Sequence, residues 1–369
     1  MSIAKLPLRT ASMLAMAGLT VSALAAIHQA TPQLSETDLA AAVRAELGRR
    51  ASSDSFSGAV LVAKQDRPIV SVAYGLADRE RQLPNTVETR FRLGSMNKMF
   101  TAVATLTLVE AGKVALDDPL GKHLPDYPEP EVRSKVTLRH LLTHTGGTGD
   151  IFGPQFAEKR LALRTHADYL ALYGARKLLF EPGNEWRYSN YGFVLLGAII
   201  ERVSGRGYYD YVRDHVYTPA GMTRTGSEPE DTPVAERSVG YTKLRTGQTW
   251  ENNRDTLPYR GMAAGGGYST TTDLLRFATA LTSNRLLKAE HTASLTATTV
   301  AARGGSYGLG FMERNFDGGT AFGHGGGAPG MNGELLMFRS GYVVVVLANL
   351  DPPAATEVAR FIAARLPSR

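Results

Sequence analysis

The sequence predicts an α+β fold: one antiparallel sheet built from both ends of the chain, flanked by helices, with a largely helical subdomain between. Three observations predict it. β-Rich runs gather near the start, at Gly58–Ala63 and Ile69–Tyr74, and again late, from Tyr307 to Ala348. The stretch from about Leu116 to Leu281 instead shows helical apolar spacing broken by long loops. Short turn-forming segments separate neighbouring β runs, which makes those runs antiparallel partners.

In chain order, Ser35-Glu36-Thr37-Asp38 reads as a helix start, with Ser35 as N-cap and acids in the first turn, leading through Leu39, Val43 and Leu47. Gly58–Ala63 and Ile69–Tyr74 form an expected hairpin around the turn Gln65-Asp66-Arg67-Pro68. A short extended run, 90–94, then leads into a helix marked by Met99, Phe100, Val103, Leu106 and Glu110, with Gly112 as its stop. Val194–Val203 is an apolar helix ending at Gly205, and Thr271-Thr272-Asp273 is an expected cap for the helix through Leu274, Leu275 and Ala278. Expected strands follow at Tyr307–Met312, Thr320–Gly323, Gly333–Phe338 and Tyr342–Ala348, with turns at Asp317-Gly318-Gly319 and Ser340-Gly341. A last helix is expected over Ala354–Leu366. The α/β part therefore covers about 35–90 and 300–369, and the mainly helical part about 91–299.

Composition narrows the function classes. The apolar fraction of 43% and charged fraction of 21% are those of an ordinary globular protein. The net charge of +6 is scattered and flanked by acids, as in Asp78-Arg79-Glu80-Arg81. Without a basic run interleaved with aromatics, nothing points to nucleic acid. Lys5 and Arg9 precede the apolar stretch Ala11–Ala26, which ends in Ala23-Leu24-Ala25; this is the order of a secretory signal peptide over residues 1–26. The strongest later apolar run, Val343–Leu350, is strand-sized, so no membrane span is expected once the signal is removed. There are no cysteines, which excludes disulfides and cysteine chemistry. Export without cysteine points to a bacterial envelope protein, periplasmic or secreted.

Ser95-Met96-Asn97-Lys98 is the main candidate for chemistry. Ser95 leaves an extended run and opens a helix, which places Lys98 one turn away on the same face. A serine hydroxyl needs a base within hydrogen-bond reach, and a lysine serves only if burial keeps its amine neutral. The same spacing at Ser2 to Lys5 lies in the signal segment, so context and not spacing gives the later motif its meaning. Tyr188 stands in a loop before an apolar helix, where its phenol could relay a proton, and Asn190 could orient a carbonyl or amide. His324 precedes Gly325, Gly326 and Gly327, a backbone without side chains against which a substrate could lie and whose N–H groups could face an oxyanion.

Three other patterns are set aside. Gly304-Gly305-Ser306-Tyr307-Gly308 matches a nucleophile elbow but leads into a strand. Gly325–Gly330 matches a dinucleotide fingerprint but contains Pro329 and also leads into a strand. His140 and His144 lie four apart on an expected helix without a suitably placed acid, and a packed helix end is the simpler reading than a metal site.

Taken together, the residues resemble the penicillin-recognising serine hydrolases, the branch of class C β-lactamases, D-alanyl-D-alanine carboxypeptidases, D-aminopeptidases and family VIII carboxylesterases. The resemblance rests on Phe91–Lys98, Leu141–Gly147, Tyr188–Asn190, Ala264–Thr270, Tyr307–Phe311 and Gly323–Gly326. It implies a β-lactamase-like fold with the site in a cleft between an αβ sandwich and a helical subdomain. It also implies that Ser95 is the acylated nucleophile, that Lys98 and Tyr188 manage its proton, and that Asn190 contacts the acyl-side amide. His324, Gly325 and Gly326 would border the substrate, and the backbone N–H groups of Ser95 and Gly327 would form the oxyanion hole. No cofactor or metal is implied, and the partner is a small ester, amide or peptide. The third motif departs from the Lys-Thr-Gly of class C β-lactamases. A permanent cation is replaced by His324, whose ordinary pKa is near ~6.5, so carboxylate-bearing β-lactams should be held less firmly.

Overall fold

The structure, a computed structural model, describes residues 31–297 and 299–367; the expected signal segment 1–26 lies outside them. Helix α1 (Glu36–Ser52) begins where Ser35 accepts a hydrogen bond from the Asp38 N–H. The hairpin β1 (Gly58–Lys64) and β2 (Arg67–Tyr74) turns over Gln65 and Asp66 alone. The expected four-residue turn is thus shorter, and Pro68 lies inside β2. It is tolerated there because β2 is an edge strand, and the register shifts at Val62/Ala63 opposite it.

Helix α2 (Asn97–Glu110) follows, ending just before Gly112 at φ 65°. Helix α3 (Asn190–Ser204) starts four residues earlier than its apolar spacing indicates, because Ser189 caps it by accepting the Gly192 N–H. Helix α4 (Thr271–Thr282) is capped by Thr270, one residue before the expected cap.

The late strands are β3 (Val300–Ala302), β4 (Gly305–Tyr307), β5 (Met312–Phe316), β6 (Gly319–Ala328), β7 (Met331–Phe338) and β8 (Tyr342–Ala348), followed by α5 (Ala354–Ala363). They join the first hairpin in one sheet of order β2-β1-β8-β7-β6-β5-β4-β3, antiparallel throughout. The expected strand Tyr307–Met312 is in fact broken. At Gly310 (φ 77°) the chain turns in beneath α2, close enough that a Cβ would lie 2.5 Å from Ala102 Cβ, and its N–H bonds the Leu142 carbonyl. Only glycine fits both the close approach and the left-handed backbone.

The central strands are buried on both faces, and their alternation divides the core in two. Leu61, Leu335, Met337, Val345 and Leu347 pack toward α2, α3 and α4. Val60, Val62, Leu336, Val344 and Val346 pack against Leu39, Val43 and Leu47 of α1 and Val358 and Ile362 of α5. The nucleophile-candidate helix is therefore clamped between the sheet and the helical stretch. Among the described residues, no helix is long and apolar enough to cross a membrane.

Candidate active site

Ser95 sits in a single 3₁₀ turn, Gly94–Met96, between the short strand Phe91–Arg92 and α2. Backbone from two directions holds that turn. Leu93 N–H bonds the Gly267 carbonyl and the Gly94 carbonyl accepts from Gly266 N–H, on the side of the loop 262–267. On the other side β6 presses close: a Cβ on Gly326 would lie 1.9 Å from the Leu93 oxygen and 3.1 Å from Ser95 N. The two glycine-rich segments thus allow backbone-to-backbone contact that a side chain would block.

Lys98 is fully buried on the first turn of α2, with Nζ 3.5 Å from Ser95 Oγ. The amine donates to Asn190 Oδ1 at 2.7 Å and to the Ala264 carbonyl. It also lies over the rings of Tyr188 and Phe193, 4.7 and 5.3 Å from their centroids. Burial lowers the Lys98 pKa to about 7, opposed by the charge of Asp150. Two further α2 residues grip the loop that supplies the Ala264 carbonyl: Asn97 Nδ2 donates to Met262 O and Thr101 Oγ1 to Ala263 O.

The Tyr188 hydroxyl is buried and makes no normal-length hydrogen bond among the described residues. Burial raises its pKa, an effect the facing Ser95 hydroxyl partly offsets, so the phenol keeps its proton. His144 supports this loop from behind. Its Nδ1 accepts the Ser189 N–H at 3.1 Å, and its ring packs 4.3 Å from the Tyr188 centroid and 4.5 Å from that of Tyr307. His144 lies beyond the end of the helix Leu138–Leu142, in a left-handed conformation, and not one turn from His140 on that helix. Among the described residues, no group of three or more His, Cys, Asp or Glu could hold a metal.

His324 is placed differently from its sequence expectation. Its side chain is buried, with Nε2 2.9 Å from the Tyr307 hydroxyl and Nδ1 on the Gly325 carbonyl. Burial, reinforced by the Lys98 charge, drives its pKa to about 3, far from the ordinary imidazole value. The ring is neutral at physiological pH and is not among the residues that line the cavity beside Ser95. Gly325 faces Glu334 on the other side of β6, whereas Gly327 reaches the cavity.

That cavity has a volume of about 300 Å³ and brings together Ser95, Asn190 and Gly327. Its remaining wall is mostly apolar, including Ile151, Phe156, Tyr169, Val194 and Met262. Phe152 at its lip is 61% exposed and packs edge-on against Phe156. Sequence reasoning missed Asp150. Its carboxylate accepts the Asn190 N–H and Nδ2–H, at 3.1 and 3.2 Å, and the Ile151 N–H at 2.7 Å. The available signal was its place directly after the Thr145–Gly149 segment, one residue before the cavity wall.

A half-buried serine hydroxyl beside a buried, readily neutralised amine, set under an antiparallel sheet, is the arrangement of enzymes that pass an acyl group through serine. The chain belongs to the beta-lactamase family, whose profile matches residues 39–367. It is similar to penicillin-binding protein 4* of Bacillus subtilis, 29% identical over 301 residues, covering 77% of this chain and 65% of that protein. It is 35% identical over 214 residues to esterase EstB of Burkholderia gladioli, covering 53% of this chain and 54% of the esterase. A crystal structure of a D-stereospecific amidohydrolase from Streptomyces sp. superimposes with a TM-score of 0.73 at 30% identity, covering 87% of this chain and 97% of that one. The chain thus spans less than two thirds of the length of these two curated relatives.

Proposed function

We propose that this protein is an exported serine hydrolase that cleaves small esters or amides through an acyl intermediate on Ser95. The observation that carries the reading is the fully buried Lys98 amine, 3.5 Å from the Ser95 hydroxyl with a pKa near neutrality. Ser95 Oγ attacks the carbonyl carbon while its proton passes to neutral Lys98. The Ser95 and Gly327 N–H groups receive the developing oxyanion. Tyr188, held protonated by burial, donates to the departing oxygen or nitrogen and regains a proton from the Lys98 ammonium. Water then attacks the acyl carbon, giving its proton to neutral Lys98, which returns it to Ser95 Oγ as the ester bond breaks. Asn190 Oδ1 orients the lysine, and its Nδ2 is bound by Asp150.

The neutral, buried His324 supplies no cation at the third motif to hold a β-lactam carboxylate, which favours uncharged esters and amides there. The cation in the cavity wall is Arg260, whose Nε is bound to the Ser227 carbonyl. Similarity to an esterase and to a D-stereospecific amidohydrolase supports both bond types. The latter favours, as a second reading, a D-amino-acid amidase or peptidase. A non-catalytic sensor on this fold would not need the Ser95–Lys98–Tyr188 set, which is intact. In this reading residues 27–369 act as one hydrolase unit after removal of 1–26. Wild type should hydrolyse short nitrophenyl esters with kcat/KM at least about 10³-fold above Ser95→Ala, the scale of losing a nucleophile. Equal rates for the two would overturn the proposal.

A further inference from the structure

We propose that Asp150 is a positioning residue of the acylation machinery, holding the Asn190 amide so that its carbonyl oxygen faces Lys98. The inference rests on the functional reading above. Asn190 can present either end of its amide to the lysine. Only the oxygen can accept from an amine that donates, and the carboxylate of Asp150 decides which end that is. It accepts the Asn190 Nδ2–H at 3.2 Å, which leaves Oδ1 to face Nζ at 2.7 Å. With the nitrogen end turned to Lys98, two donors would meet in a buried site.

Asp150 is itself tied down by three further hydrogen bonds. Its carboxylate takes the N–H groups of Ile151 and Asn190, and its carbonyl accepts from Arg176 Nη1 at 2.7 Å. The carboxylate is therefore a fixed charge, placed behind Asn190 as seen from the amine. A charge there has a second consequence, because the other groups around Lys98 carry no formal charge. The rings of Tyr188 and Phe193 and the carbonyl of Ala264 are neutral. His144 and His324 face it from the loop after Leu142 and from β6, both held neutral by burial. Ser95 and Asn190 are also uncharged. Asp150 is the charged group that raises the Lys98 pKa, against the larger downward effect of burial. It keeps the amine near the operating pH instead of far below it, where a weak base would accept the serine proton poorly.

Neutral Lys98 is the active form, so activity falls as pH drops through its pKa. Removing the Asp150 charge lowers that pKa, and the acid limb moves to lower pH. Fluorophosphonate labelling of Ser95 is measured from pH 5 to 9 in wild type, Asp150→Asn, Asp150→Ser and Asp150→Glu. Serine keeps an acceptor for the Ile151 N–H and serves if the asparagine variant folds poorly. We expect the acid limb of both uncharged variants to fall by about 0.5 pH unit or more. The plateau rate should drop about tenfold from the disturbed Asn190, and glutamate should restore the limb. A slower plateau with an unmoved or raised limb would show a purely structural residue and overturn the inference. Wild type that does not label at Ser95 at any pH would instead overturn the functional reading, and the inference with it.

Discussion

Replacing Gly326 with alanine puts one methyl group between β6 and the turn that carries Ser95. The new Cβ would lie 1.9 Å from the Leu93 oxygen and 3.1 Å from Ser95 N, and both are backbone atoms without rotamers to absorb the clash. An ordinary carbon–oxygen contact needs about 3.3 Å, so one backbone must retreat by about 1.4 Å. Overpacking of this kind costs about 1–3 kcal/mol, and in a domain of this size lowers Tm by only a few degrees or so. The catalytic cost is larger, because a displacement of roughly 1 Å at a reacting centre lowers rates about 100-fold. Gly327, next in the strand, moves with Gly326, which separates the two proposed oxyanion donors. The assay compares fluorophosphonate labelling and ester kcat/KM with thermal melting, using Gly48→Ala as control. Gly48 lies inside α1 with nothing within 4 Å of a new Cβ, so alanine there should stabilise by about 0.5–1 kcal/mol and leave rates unchanged. Gly326→Ala with a Tm and labelling rate like wild type would refute the close strand-to-turn packing.

For wild type, a Lys98 pKa near 7 requires kcat/KM to rise about tenfold between pH 6 and 8 as the amine loses its proton, then level off. His324, titrating near 3, should add no inflection between pH 5 and 8; a flat profile or a second step there contradicts the assignment. Gly310→Ala forces a side chain onto a backbone at φ 77° and 2.5 Å from Ala102 Cβ, and should destabilise by about 1–3 kcal/mol. Thermal or urea melting reads this directly, and an unchanged midpoint would count against the buried crossing beneath α2.

The sheet was legible where its strands carry apolar runs bounded by turns, whereas Val300–Ala302, Gly305–Tyr307 and Met312–Phe316 carry no such run and were not read as separate strands. Val343–Leu350, opening with four valines, is one such run, and it has few alternatives once it is too short for a helix. Helix starts were read to within a few residues from their caps, Ser35 being found correctly and Thr270 missed by one. The break at Gly310 was illegible, since its cause is a contact with Ala102, more than 200 residues away in sequence. The Ser95–Lys98 pairing was local and could be read from the strand-to-helix context. Asp150 had only its place after Thr145–Gly149 as a signal, and its role was hidden because its partner Asn190 is 40 residues on and the bond exists only after the loops dock. His324 was placed near the site from its motif. Whether its ring faced substrate or Tyr307 depended on burial, which a strand of alternating small residues leaves open.

The most direct test is intact-mass spectrometry of wild type and Ser95→Ala after brief exposure to a nitrophenyl ester and, separately, to a fluorophosphonate. Wild type should gain one acyl group from the ester, which disappears with time, and one stable phosphonyl group from the probe. Both should map to the peptide containing Ser95 and be absent from Ser95→Ala. Adducts of equal amount on the two proteins, or an adduct on another residue, would contradict the account.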